Sequence, residues 1–146
     1  MEVIQTLALV HGDLVIGSDG NYLLYTGADR IRQDLTLALT EEYGTDRFHP
    51  GFGSIVQEYL GRPITPDLQL LVQAEVNRVI QNYLIIQQNE VIRGTLYDVA
   101  GTYNTADVVR SVDSITVRAV MDTIYIAVAL TTLARQTITI SKQVST

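Results

Sequence analysis

From Val108 onward, apolar and polar residues alternate with a period of two. Ile115, Val117 and Ala119 interleave with Thr116 and Arg118. Ile124, Ile126, Val128 and Leu130 interleave with Tyr125, Ala127 and Ala129, and Ile138 and Ile140 with Thr137, Thr139 and Ser141. Strand side chains point alternately to opposite faces, so the pattern describes a sheet with one buried side. Met121-Asp122-Thr123 and the run from Thr132 to Arg135 are the predicted turns of a three-stranded antiparallel meander. Upstream the period is helical. Ile31, Leu35, Ala38 and Leu39 fall at i, i+4, i+7 and i+8, and Leu68, Val72, Val76, Val79, Ile80 and Tyr83 mark a longer stripe. The stripe weakens at Gln87-Gln88-Asn89 and resumes with Val91, Ile92, Leu96 and Val99. One helix from Pro66 to about Asp98, roughly 50 Å long, therefore competes with a break near Asn89. A helix of that length outruns the core of so small a domain, so part of it is expected to pack on something else. Residues 5–25 read as two or three short strands around turns at His11-Gly12-Asp13 and Ser18-Asp19-Gly20-Asn21.

Local punctuation sharpens these elements. Thr26 and Asp29 approximate a capping pair, and Gly44 suits the left-handed position after a helix. Arg47 to Ser54 is too rich in Gly and Pro for a helix or strand interior. Within it Gly51 and Gly53 permit unusual backbone angles, and Phe48 and Phe52 can plug the loop onto a core. A short helix is expected from Ser54 to Leu60. Thr65, Pro66 and Asp67 form an N-cap, a first helical position and a favourable charge at a helix start. Gly101 to Asp107 is a turn-rich connector. The predicted fold class is α+β: an antiparallel sheet of the N-terminal strands plus the C-terminal three-stranded meander, with two shorter helices and one long helix. Residues 1–146 are read as a single domain, with no internal repeat.

Composition narrows the function classes. The net charge is −6, and Lys142 is the sole lysine beside nine arginines, with no basic run. That removes the electrostatic footprint expected for nucleic acid or anionic lipid. Cysteine is absent, so disulfides and thiolate metal sites are excluded, and two histidines are too few for a metal centre. The first residues, with Glu2 and no basic leader, read as a strand rather than a secretion signal. No stretch reaches the roughly 20 apolar residues of a membrane span.

Gly27, Ile31, Gln33, Asp34, Leu35, Leu39, Gly44, Pro50, Phe52, Gly53, Ser54, Leu60 and Gly61 together form an ordered pattern over about a quarter of the chain. It resembles the baseplate wedge or sheath-initiator family of contractile-tailed phages, small proteins also described as lysozyme-like. The resemblance implies a structural baseplate component that surrounds the tail tube, starts sheath assembly by strand pairing, and contacts wedge proteins. It also implies tail sheath, wedge and tube or hub proteins as partners. Multiple copies, six by the symmetry of the tail, would be assembled in the host cytoplasm and carried in the virion. Gly27, Gln33, Asp34, Gly44, Pro50, Phe52, Gly53 and Ser54 are then a structural signature. The family commonly carries a Glu-Pro-Arg triplet after its long helix that mediates wedge contacts; here the prolines are Pro50, Pro63 and Pro66, and the triplet is missing. The wedge-contact residues stay unassigned, and an extended helix becomes the candidate for that role.

The chemistry candidates are thin. Gly53-Ser54 lacks a nucleophile elbow, Gly51-Phe52-Gly53 lacks the features of a phosphate loop, and His49 reads as a loop residue making a backbone hydrogen bond. The alternative function is a cell-wall glycoside hydrolase, which needs two carboxyls about 5–10 Å apart. Glu41 and Glu42, neighbours on a helix, point about 100° apart. Asp34, Glu58 and Glu75 are further candidates, with Asp34 alternatively bonding loop backbone near Gly53. No catalytic residue, metal or cofactor is assigned. What stands out is the last strand, Gln136 to Val144, rich in Thr and β-branched residues and carrying one charge. As a terminal strand it offers unpaired backbone to a neighbour through Ile138, Thr139, Ile140 and Ser141, unless the N-terminal strands cover it.

Overall fold

The computed structural model describes residues 5–63, 65–96 and 105–145. The first four residues, Asp98 and Val99 at the predicted end of the long helix, and the connector from 101 to 104 lie outside that range. Three strands form the meander: β5 (Val109–Val120), β6 (Thr123–Thr132) and β7 (Thr137–Ser145), antiparallel, with β6 in the middle. The β5–β6 turn is two residues, Met121 and Asp122, and Met121 adopts φ 52°. Two register shifts bulge β5, between Val109 and Ser111 and between Val112 and Ser114.

One face of this sheet is the floor of the core. Ile124, Ile126, Val128 and Leu130 of β6 and Ile138, Ile140 and Val144 of β7 are buried, as the alternation requires. Two helices cover them: α1 (Gly27–Thr40), through Ile31, Leu35, Ala38 and Leu39, and α2 (Pro66–Leu96), through Val72, Val76, Val79 and Ile80. Each fully buried aliphatic side chain contributes roughly 1.5–3 kcal/mol. The opposite face includes Tyr125, and the Arg118 guanidinium sits 5.6 Å from its ring centroid.

The α2 helix is 31 residues long and unbroken at Asn89. The polar interruption in its stripe has a structural use. Gln87 is buried, its amide N–H donates to Asp107 O (2.9 Å), and its Oε1 accepts from Val109 N–H (2.9 Å), so it acts as a one-residue pairing partner for the start of β5. Beyond it Gln88, Asn89, Glu90 and Ile92 are exposed, the part of the rod that outruns the core. At the start of α2, Thr65 Oγ1 accepts from Leu68 N–H at 3.2 Å, the cap that the sequence predicts.

Three expectations are corrected. The N-terminal strands do not extend the C-terminal sheet. They are β1 (Thr6–Leu7) with β4 (Leu24–Tyr25) and β2 (Leu9–Val10) with β3 (Asp13–Leu14), two separate two-stranded pairs. Their backbone is satisfied elsewhere: the Gln33 amide takes Leu7 O and Leu9 N–H, each at 2.8 Å, and docks the segment on α1. The second short helix is only a 3₁₀ turn, Val56–Tyr59, because Ser54 is tied to the end of α1. Thr26 gives α1 no side-chain cap; Asp107, fully buried and 80 positions away, accepts from Gly27 N–H instead (2.9 Å).

Candidate functional site

The signature residues around α1 resolve into joints. Gly27 opens the helix at φ +52°, a conformation glycine adopts without strain. Arg30, buried beside it, donates to Asp107 O at 3.0 Å. At the other end Ser54 Oγ donates to Leu39 O (2.9 Å) and Gln57 Nε2 to Thr40 O (2.8 Å), closing carbonyls that a helix leaves open. The chain therefore leaves the helix at Glu41, which is extended, and Glu41 and Glu42 are not helical neighbours as the sequence suggests. Gly44, at φ +82°, belongs to the following turn rather than to the helix cap. Gly53 is the tightest point: at φ +101°, an added Cβ would lie 2.8 Å from Glu41 O and 2.9 Å from Glu42 C and O. Pro50 is the second residue of a turn closed by Phe52 N–H to His49 O (2.9 Å). Phe52 packs on the core, whereas Phe48, expected to do the same, is 88% exposed.

Asp34 is not bonded to the loop near Gly53. Its Oδ2 accepts from the Tyr83 hydroxyl at 3.1 Å, with Arg30 Nη1 at 3.8 Å. The loop is held by α2 instead: Arg78 donates to Gly53 O (3.0 Å), and Glu75 accepts from Ile55 N–H (3.0 Å) and pairs with Arg78 at 2.7 Å. Burial pushes the Glu75 carboxyl up, but the Arg78 and Ile55 hydrogen bonds together bring it below its usual range. Asp34 and Tyr83 line a cavity of about 510 Å³ with apolar walls that include Phe52, Val79 and Ile86. Burial holds the Asp34 carboxyl above its usual range despite Arg30 and the Tyr83 hydroxyl. Asp46 lines the same cavity; hydrogen bonds from Phe48 N–H and from His49 hold its carboxyl low. His49 thus makes the backbone bond expected of it and a ring contact with Asp46 at 3.2 Å. Among the described residues no group of three potential ligands could hold a metal ion.

The edge strand lies on the other side of α1. Thr132 N–H donates to Gln136 O, and bonded pairs in an antiparallel ladder recur every second residue. Ile138, Ile140, Lys142 and Val144 therefore direct their backbone groups to β6. Thr137, Thr139, Ser141 and Gln143 direct theirs outward. Of the four edge residues singled out in the sequence, Thr139 and Ser141 offer backbone to a neighbour, while Ile138 and Ile140 supply the core. Among the described residues no strand pairs with this edge. Among the described residues one side chain reaches it: Arg32 Nε to Thr139 O at 3.4 Å, a long bond from a guanidinium already paired with Asp29 at 2.8 Å. Nothing in the local sequence marks Arg32 for this, since it is simply a charge on the polar side of α1. Between the edge, α1 and the N-terminal segment runs a groove of about 520 Å³, lined by Leu9, Tyr25, Arg32, Leu37 and Lys142 among others. Among the described residues no helix is long and apolar enough to cross a membrane. No protein-family model matches this chain, and no curated protein matches it in sequence.

Proposed function

We propose that this chain is a structural adaptor in the baseplate of a contractile phage tail. It stands around the tail tube in multiple copies, receives a strand from the first sheath subunits on β7, and meets wedge proteins along α2. The observation that carries the reading is the β7 edge: four residues turn their peptide groups away from the sheet, and one long hydrogen bond from Arg32 guards them. Such an edge is a template for strand addition. Support from α2 is its length and the exposure of Ile85, Ile86 and Ile92. The reading needs no reaction, cofactor or nucleic acid.

The chain has no cysteine, so Thr139→Cys gives a single cross-linking position. In particles assembled with this variant, the cross-linked partner should be the sheath subunit. A cross-link confined to the chain's own residues, or none to any tail protein, overturns the proposal. The glycosidase alternative draws on one observation, the shared cavity of Asp34 and Asp46 with one carboxyl held high and the other low. Clearing of purified peptidoglycan that is lost in Asp34→Asn would favour it. An inert protein favours the adaptor.

A further inference from the structure

The groove beside β7 has a second property beyond its open backbone. A strand added to this edge, in either direction, places every second side chain on the same face as Ile138, Ile140 and Lys142, under α1. The alternate side chains lie beside Thr139, Ser141 and Gln143 on the outer face. The inner row enters the groove, whose apolar Leu9, Tyr25 and Leu37 alternate with polar Gln33, Thr36 and Thr40. Among the described residues Arg32 and Lys142 bring positive charge to that groove. Arg32 is neutralised by Asp29, but among the described residues no carboxylate pairs with half-buried Lys142. An ammonium lining the groove without a paired carboxylate is a selecting element, since like charge opposite it is disfavoured and unlike charge favoured.

We infer that the groove reads the sequence of the strand it receives, selecting a segment with a carboxylate side chain where it passes Lys142 and apolar side chains two positions to either side. This rests on the strand-addition reading above. The apolar positions follow from Ile140 and Val144, the buried neighbours of Lys142 on the same face. The intervening positions suit Thr or Ser, which pair well beside Thr139 and Ser141.

The test uses the full chain and two capped nine-residue peptides of alternating Thr and Val, one with Glu and one with Lys at the sixth position. Amide exchange at Thr139, Ser141 and Gln143 reports strand addition, and titration reports affinity. The Glu peptide should protect these amides and bind about tenfold tighter than the Lys peptide, with the order reversed on Lys142→Glu. Protection by both peptides with equal affinity, or a preference for Lys, overturns the selection and leaves strand addition standing. Protection by neither overturns both. Ser141→Pro supplies the control: its N–H faces outward, so the variant should fold, give an unchanged melting transition, and bind neither peptide. If it does bind, the edge is not the binding surface.

Discussion

At Gly53 a methylene-sized addition has nowhere to go, because the atoms it would meet are backbone of Glu41 and Glu42 rather than a flexible side chain. Gly53→Ala is expected to lower the unfolding free energy by about 3 kcal/mol or more, measured by urea denaturation. Asp34 carries a different liability. Its folded-state pKa lies above the ordinary 3.8, so ionisation favours the unfolded chain. The penalty is absent below the ordinary value and complete once pH exceeds the folded one. Asp34→Asn should therefore be more stable than the natural chain at pH 7, with the advantage closing at about pH 4 and below in thermal melts. Glu75 runs the opposite way: its contribution is complete above the ordinary 4.5 and is lost as pH falls through its lower folded value. Glu75→Gln should thus cost stability at pH 7 and progressively less in acid.

Helices and strands here are fastened by residues distant in sequence, which explains what the chain discloses about itself. Periodicity located α1, α2 and the meander because burial on one face imposes it, and Ile31, Leu35, Val72, Val76, Ile126 and Ile140 are all inside. Fastenings have no period. The cap on Gly27 N–H comes from Asp107, and the N-terminal strands hang on Gln33, so neither Thr26 nor the strand pattern of residues 5–25 discloses them. Gln87 broke the stripe of α2 only on paper, since an amide buried against backbone is as much a core residue as a valine. Gln33→Ala should release the N-terminal segment without unfolding the rest. Exchange of the Leu9 amide should rise about tenfold or more, while the global melting midpoint moves by only a few degrees. The turn at Met121 can be improved: with positive φ at the first of two turn residues, Met121→Gly should add about 0.5–1 kcal/mol.

For the molecule as a whole, the site was half legible. The weakly guarded β7 edge could be read from Thr-rich alternation and a single charge. Which peptide groups face outward, and that α1 and the N-terminal segment wall a groove beside them, depends on ladder parity and on helix placement that no local pattern encodes. The two outer strands of the meander are also unlike each other. β5 is bulged twice, and Gln73 of α2 reaches its Ile115 carbonyl (3.5 Å). β7 is regular along its length. The bulges and the Gln73 contact guard β5 more than anything guards β7, so β7 is the edge better suited to accept a strand. Two copies meeting through β7 would bury each other's open edge and close as a pair, which is the geometry of an end rather than of a repeating link.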